Sequence, residues 1–484
     1  MKRNYLKMGL AFLLAACLFL PGCTGKDVKT DSAKSSVVIK WYFPASTQAD
    51  LKTVQNAINE KLVKKIGVKL DMQTVDFGSY DEKMNMIKAS GEKYDLCYTS
   101  SWTNNFINSA LTGAFLPLDD YYEKSVLKDE IPDFVWDDTV LNGKIYAVPN
   151  YQVEYYQACL MLPQKLADKY NLDTSKIKNK TDIEPFLEQI KNNEPDFFPY
   201  NPVDGGNSIN AREYDTITGL NAYRVAKSDP ACKVICYLDI PSVLQHYNKM
   251  REWYQKGYIR KDIVSAAASS RADNQSLKYA VWSGSMKPGS KAENKITFGE
   301  DICEIPVNEP FISMQAAQAT LTAISLNSDN PDKAWETIEV MNTDKEIYNM
   351  IAFGLEGKHY TRISDDTILP KANSGYTLPA WMFGNQFNAY YQEGQDTAIW
   401  QETDKINREA ARSNLRGFNF DFAPVKNELA SISAVLGEYK WLDYGTAEPA
   451  SVVDEIKTKL KTAGLDKVTV ELQNQIDKWL ASKK

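Results

Sequence analysis

The side chains that could carry out a reaction are few in this chain, and their spacing does not assemble them. The two histidines, His246 and His359, stand far apart, and neither belongs to an HExxH pair, so a zincin-type metal site is missing. No GxSxG turn presents a serine nucleophile, and no GxxxxGK[ST] loop is there to cradle phosphates. Paired carboxylates suffice to hydrolyse glycosides, but with 63 Asp and Glu residues chance pairs abound and mark no site. No metal or cofactor is expected. Binding chemistry is better supplied. Core packing takes most aromatics in any protein. An excess of 27 Tyr and 10 Trp also suits a surface that stacks on the flat faces of sugars, with hydroxyls and amides to pair their OH groups.

One thiol has a chemistry of its own. Lys2, Arg3 and Lys7 precede an uncharged, mostly apolar run from Met8 to Leu20, and Pro21-Gly22-Cys23 closes it before a polar stretch. A basic head, a short apolar core and small residues at the end describe an export signal. The run falls short of the roughly 18 residues needed to span a bilayer. A cysteine after Leu20-Pro21-Gly22 resembles a bacterial lipobox, which implies removal of residues 1–22 and a lipid on Cys23 as the new first residue. Leu14-Ala15-Ala16-Cys17 fits the same pattern, and a plain secretory signal is the alternative to both. Cys23 is preferred because cutting at Cys17 would leave Leu18-Phe19-Leu20 apolar at the terminus. Residues 23–36 then read as a flexible tether. Cys97, Cys159, Cys232, Cys236 and Cys303 follow without CxxC spacing. Cys232 and Cys236, in what reads as one strand, would lie about 13 Å apart, too far to bridge. Buried thiols are expected.

The elements that must position a site follow from patterning. A chain of 484 residues exceeds one compact core, so two or more domains are expected. The net charge of −7, more negative still once Lys2, Arg3 and Lys7 leave with the signal, argues against a nucleic-acid partner. It also suits a protein that must not adhere to anionic lipid. VVIKWYF, residues 37–43, reads as a buried parallel strand. The Pro44–Thr47 turn offers a helix N-cap, Leu51, Val54, Ile58 and Leu62 share one helical face, and Gly67 ends that helix. Val68, Leu70 and Met72 alternate as a strand, a helix over 80–89 follows, and a strand comes at 94–98. This βαβαβ start predicts a parallel sheet covered by helices. Such sheets bind ligands beyond the carboxyl ends of their strands. Two of those ends carry indoles, hydroxyls and amides: Trp41 before the PAST turn, and Ser101 and Trp102 within Thr99–Asn104. Helix capping accounts for part of the Ser and Thr, and core packing is the alternative for each tryptophan.

Further along, Asn142-Gly143 predicts a hairpin turn leading into a strand over IYAV. The spacing predicts helices over 182–190 and 243–253 and strands at 279–285 and 323–327, and 197–207 reads as a loop. Asn330-Pro331 opens a helix with Ala334, Trp335, Ile338 and Met341 on its buried face. Two amphipathic helices close the chain, carrying Val452, Val453, Ile456 and Leu460, then Leu472, Ile476 and Trp479.

Gly113-Ala114-Phe115-Leu116-Pro117-Leu118-Asp119, followed by Asn142-Gly143-Lys144-Ile145-Tyr146-Ala147-Val148-Pro149, resembles the family 1 extracellular solute-binding proteins of ABC importers. Residues 330–360 are similar to paired helices of that family. FGLEGKHY (353–360), WMFGNQF (381–387) and residues 417–447 look like its LplA-like lipoprotein branch. The resemblance implies an α/β, two-lobed periplasmic-binding-protein (type 2) fold, each lobe a mostly parallel sheet flanked by helices, with a helical C-terminal region. Lobe 1 would comprise 37–150 and 312–378, and lobe 2 would comprise 151–311 and 379–484, with 415–484 specific to the family. A crossover is expected near Pro149–Gln152.

The implied function is that of a lipid-anchored, monomeric substrate-binding component on the extracytoplasmic face of the cell membrane, without catalysis. It would capture a carbohydrate, an oligosaccharide above all, between the lobes and deliver it to permease subunits. Trp41, Ser101 and Trp102 are candidate ligand contacts from the strand ends, and Tyr151 from the hinge. Trp282 is a candidate from a strand-glycine segment, and Glu356, Trp381, Asn385 and Gln386 from the branch motifs. Two other functions stay open: a binder of peptides or other polar solutes, and a cell-surface glycan-degrading enzyme.

Overall fold

The computed structural model describes residues 36–203, 213–217 and 219–483. Cys17, Cys23, the signal and nearly all of the tether lie outside the described residues.

The first sheet begins as the N-terminal pattern requires. Strands β1 (Val37–Pro44), β2 (Val68–Val75) and β3 (Leu96–Thr99) alternate with helices α1 (Leu51–Ile66) and α2 (Tyr80–Ser90). β1 pairs in parallel with both of its neighbours. Helix α1 buries Val54, Ile58 and Leu62 and ends on Gly67, whose φ of 70° turns its N–H back onto the Leu62 and Val63 carbonyls. It starts later than the PAST turn suggests. Asp50 stands before it, and its carboxylate goes to Lys358 at 2.8 Å and His359 at 3.3 Å rather than to the helix end. Two further strands complete the sheet from elsewhere in the chain. Leu321–Ile324 pairs antiparallel with β3, and Val148–Pro149 pairs antiparallel with Leu321–Ile324. Asn142 and Gly143 both take positive φ, 51° and 77°, and turn Val140–Leu141 onto Lys144–Ile145. The strand expected over IYAV is therefore divided between that hairpin and the first sheet.

The second sheet runs Ile302–Pro306, Ala158–Pro163, Tyr279–Ser285, Phe198–Tyr200. Only its last pairing is parallel, so this half departs from the mostly parallel sheet expected. The connections here are long and carry their own helices, and chain length imposes neither sense. Phe198–Tyr200, within the expected loop, is an edge strand, the place where a proline such as Pro199 is tolerated. A third, antiparallel sheet joins Val234–Cys236, Leu220–Ala226 and Tyr214–Ile217. Cys232 sits in a turn with φ of 52°, so the strand expected over CKVICYL shortens to its centre. The C-terminal helices Lys426–Glu438, Pro449–Thr462 and Leu465–Ser482 share one apolar core with this sheet through Ile432, Ile456, Leu460, Leu472 and Ile476. Cys97, Cys159, Cys232, Cys236 and Cys303 are all buried and unpaired.

The passages between the first sheet and the rest are held by buried polar groups. Asn150, 2% exposed, donates Nδ2 to the Thr320 hydroxyl (2.9 Å) and the Met382 carbonyl (2.8 Å). Its Oδ1 accepts from the Thr322 hydroxyl (3.1 Å) and the Gly384 N–H (3.0 Å). A Cβ on Gly384 would stand 2.3 Å from the Met341 carbonyl oxygen, so only glycine lets this segment approach. Nearby, the buried Arg416 guanidinium donates to the Phe134 carbonyl, and its Nη2 lies 3.3 Å from Asp138 Oδ1. Glu154 is buried in the same charge cluster. Loss of hydration pushes the Asp138 carboxyl up to about 7 against the pull of Arg416, and pushes Glu154 up to about 8 with added repulsion from Asp138.

Two outcomes follow from these passages. Asn150→Ala strands four buried partners, and its urea unfolding midpoint should correspond to a loss of about 3 kcal/mol. An unchanged midpoint would remove Asn150 from this role. Glu154 and Asp138 hold protons in the fold that the unfolded chain, titrating near pH 4, gives up. The stability they carry is complete below that value and is lost as pH rises through about 7 to 8. The melting temperature should therefore fall between about pH 4 and 8 and level off above that. Glu154→Gln, neutral throughout, should show a shallower fall, and an identical slope in the variant would contradict the assignment.

Candidate functional site

Beyond the carboxyl end of β3 the chain folds into a tight loop whose hydroxyls mostly serve its own backbone. Ser100 Oγ accepts from the Thr103 N–H at 2.9 Å and the Trp102 N–H at 3.2 Å, and the Thr99 hydroxyl donates to the Asn104 carbonyl. Asn104, at φ of 41°, donates to the Tyr98 carbonyl and receives Lys88 Nζ, both at 2.9 Å. The loop is also tied to the segment that enters the Leu321 strand. Ser101 N–H reaches the Gln318 carbonyl at 2.7 Å, and the Trp102 indole N–H reaches the Ala319 carbonyl at 2.9 Å. So anchored, Trp102 remains 52% exposed, and its ring lies nearly parallel to that of Phe77 (15°, centroids 6.4 Å apart). The two rings form an aromatic platform past the ends of β2 and β3.

Next to this loop is a cavity of about 250 Å³. Ser101, Asn105, Ile107 and Asn108 wall it from the first sheet, and Ile217 and Gly219 from the third. Met314, Gln315 and Gln318 come from the crossing segment, and Phe420 and Phe422 from the start of the C-terminal region. Gln318 is the sharpest feature. It is 1% exposed, and its Nε2 donates to the Asp138 carbonyl at 2.7 Å, while its Oε1 has no partner. A buried acceptor left open costs stability unless something fills it. Asn419 accepts from Gln315 Nε2 at 3.1 Å and so fixes the second amide. Among the described residues no titratable side chain lines this cavity. Its chemistry is therefore that of amides, one hydroxyl and apolar faces.

The expected contact residues divide into three groups. Ser101 lines the cavity and Trp102 shares its loop. Tyr151, Asn385 and Gln386 come together at the crossing: Gln386 N–H bonds the Tyr151 carbonyl at 2.8 Å, and Asn385 Oδ1 accepts from Phe387 N–H at 3.0 Å. The Tyr151 ring stacks on Phe387 at 4.6 Å and its hydroxyl donates to Asp404 at 2.7 Å. Burial pushes that phenol well above its ordinary range. Trp381 is half-buried against the first core. The third group lies away from the cavity. Trp41 packs with Phe43 and Phe383, and Trp282 packs on Phe298, so both take the core alternative. Glu356 is exposed and paired with Arg362 at 2.8 Å.

Neither histidine is placed for proton transfer. His359 accepts from Leu355 N–H at Nδ1 and faces Asp50 through Nε2. Loss of hydration and nearby Lys180 push His246 down to about 3. Among the described residues no group of His, Cys, Asp and Glu is gathered for a metal, and no helix is long and apolar enough to cross a membrane.

Sequence reasoning missed Gln315, Gln318, Asn419, Phe420 and Phe422. The alternating aromatics at 418, 420 and 422 were a visible signal, since alternation turns one face toward a surface. Nothing in MQAAQAT marks its two glutamines.

Residues 414–481 match a family model described as a domain of unknown function (DUF3502). A Streptococcus pneumoniae serotype 4 protein named carbohydrate ABC transporter substrate-binding protein is 29% identical over 488 residues, covering 99% of this chain and 97% of that one. Lipoprotein LipO of Bacillus subtilis is 23% identical over 196 residues, 40% of this chain and 38% of its own. The crystal structure of the N-glycan transport solute binding protein NgtS from Streptococcus pneumoniae matches with a TM-score of 0.84 at 27% identity, covering 93% of this chain and 100% of that one. In complex with Man5GlcNAc the same protein matches at 0.71, with 27% identity and the same coverage. With its α/β architecture matched across nearly its whole length, the chain has the two-lobed type 2 fold of the extracellular solute-binding proteins of ABC importers and is similar to them in sequence.

Proposed function

We propose that this protein is the receptor of an ABC importer, that it captures a neutral oligosaccharide in the cavity beside the Ser101 loop, and that it hands this ligand to membrane permeases. The observation that carries the reading is the cavity lining: an open buried acceptor on Gln318, uncharged amides around it, and apolar faces from Phe420 and Phe422. Sugars present hydroxyls for the former and C–H faces for the latter. The Phe77–Trp102 platform extends the same chemistry to the rim. A lining without carboxyl groups lacks the acid and nucleophile that glycoside hydrolysis requires, which favours capture over cleavage. Charged peptides would find no counter-charge there. The relatives whose names carry carbohydrate or N-glycan transport support the same class of ligand.

The two halves would close on the ligand about the Asn150 crossing, in a hinge motion of the usual kind. Tyr151, Asn385 and Gln386 would then serve the hinge, and Ser101 and Trp102 the ligand. The protein would act as a monomer held at the membrane by a lipid on Cys23.

Isothermal titration with Man1GlcNAc, Man5GlcNAc and a peptide panel tests the ligand. A glycan should bind, and Trp102→Ala and Gln318→Leu should each weaken it about tenfold, the first with little change in melting temperature and the second with a lowered one from the lost bond to the Asp138 carbonyl. Stabilisation by peptides and not by glycans would end the carbohydrate reading. Mass spectrometry of the mature N-terminus should find the lipid on Cys23. An unmodified terminus would reduce the leader to a plain signal peptide.

A further inference from the structure

A second cavity, about 350 Å³, lies on the other side of Gly219, which lines both cavities. Its volume is at the low end of small-molecule sites, roughly 300–1,000 Å³. One wall is the strand Leu220–Ala226, a second is the helix Pro241–Lys256, and the third is the helix Lys426–Glu438 of the C-terminal region. The Phe422 ring, which lines the first cavity, marks the partition. A Cβ on Gly219 would come within 3.7 Å of it.

The lining favours an uncharged polyol. Arg224, Asn221 and Ser433 bring donors, and Asp443 brings a carboxylate that the Tyr247 hydroxyl also contacts. A free anion would face Asp443 and a free cation would face Arg224, whereas a sugar hydroxyl both donates and accepts. The Arg224 guanidinium is held 5.6 Å over the Tyr237 ring and donates Nη1 to the Asn221 and Tyr223 carbonyls, so it is pre-positioned. Tyrosine rings and the aliphatic side of the C-terminal helix supply apolar faces. Gly437 lies in the last turn of that helix without a left-handed backbone to require it, and a Cβ there would meet nothing within 4 Å. The position is exposed at the cavity's edge, so a large side chain placed there has room to enter it.

We propose that this second cavity is a subsite for the distal hexose of an oligosaccharide whose other end occupies the cavity at Gln318, and that the C-terminal region is thereby part of the ligand site. The inference rests on the carbohydrate reading above and adds a length preference to it. A ligand too short to pass Gly219 uses one cavity, and a longer or branched one uses both.

The test is titration of the full chain and two cavity-filling variants, Gly437→Phe and Ser433→Phe, with Man1GlcNAc and Man5GlcNAc. Wild-type protein should bind the larger glycan more tightly. Either variant should weaken the larger one about tenfold and leave the smaller within about twofold. Gly437→Ala should fold at least as stably as wild type, so the helix accepts a side chain at this position. Circular dichroism and melting temperature identify which filling variant is folded, and one folded variant decides the matter. Unchanged preference for the larger glycan in a folded variant would overturn the subsite while leaving the first cavity as the binding site. Failure of wild type to bind either glycan would sink the carbohydrate reading and this inference with it.

Discussion

Asn150 uses every hydrogen-bonding position of its side chain, donating twice and accepting twice, on two separate passages of the chain. That complete pairing is the constraint from which the rest of the crossing follows. It sets the Leu321–Ile324 strand against Val148–Pro149, and the residues just before that strand are the ones that reach into the cavity. Gln315 and Gln318 stand there, and the carbonyls of Gln318 and Ala319 receive the Ser101 and Trp102 donors. Displacing Asn150 would shift the strand register, and a one-residue slip would invert every side chain along it. The position of the Ser101 loop is thus tied through backbone contacts to the strand that Asn150 holds.

Charge is kept one layer behind that wall. Arg416, Asp138 and Glu154 are buried at the crossing, while the cavity lining is neutral. Burial pushes both carboxyls up, to about 7 and about 8, and a single guanidinium does not offset it for the pair. The arrangement is costly compared with apolar packing, and its return is specificity of geometry: Arg416 binds the Phe134 carbonyl and faces Asp138 at once. The Gln318 amide, bonded to the Asp138 carbonyl, sits between this charge cluster and the ligand space. A neutral ligand in this cavity would therefore meet oriented amides, and a wrong one would leave them unpaired.

Local pattern made the N-terminal sheet legible. The apolar run at 37–43, the helical face at Leu51, Val54, Ile58 and Leu62, and the Gly67 stop each appear where the residues place them, as does the Asn142-Gly143 turn. Position in the fold was less legible. Trp41 and Trp102 both follow apolar runs at strand ends, yet one fills the core and the other is half-exposed, because the pleat of β1 turns Trp41 inward while the Ser100 turn carries Trp102 past the sheet edge. Asn150, Gln318 and the Arg416–Asp138 pair depend on contacts across more than a hundred positions of sequence, and no local period encodes such contacts. The second sheet shows the same limit, since its three pairings join strands brought together only by tertiary packing.

The C-terminal region illustrates why that limit matters for function. As a sequence it reads as amphipathic helices appended to a two-lobed binder. In the structure its first residues run through the crossing before any helix begins. Arg416 reaches Phe134, Asn419 reaches Gln315, and Phe420 and Phe422 form the wall of the cavity. The helices then share a core with the third sheet, whose Gly219 faces both cavities. A segment bonded at one end beside the first sheet and packed at the other against the third links the two. Between Arg416 and Lys426 it is held as well: Asp421 N–H bonds Gln475 Oε1, and Phe418, Phe420 and Val425 are buried in the core shared with the third sheet. The aromatic wall of the cavity is for that reason tied to the first sheet and to the third at once.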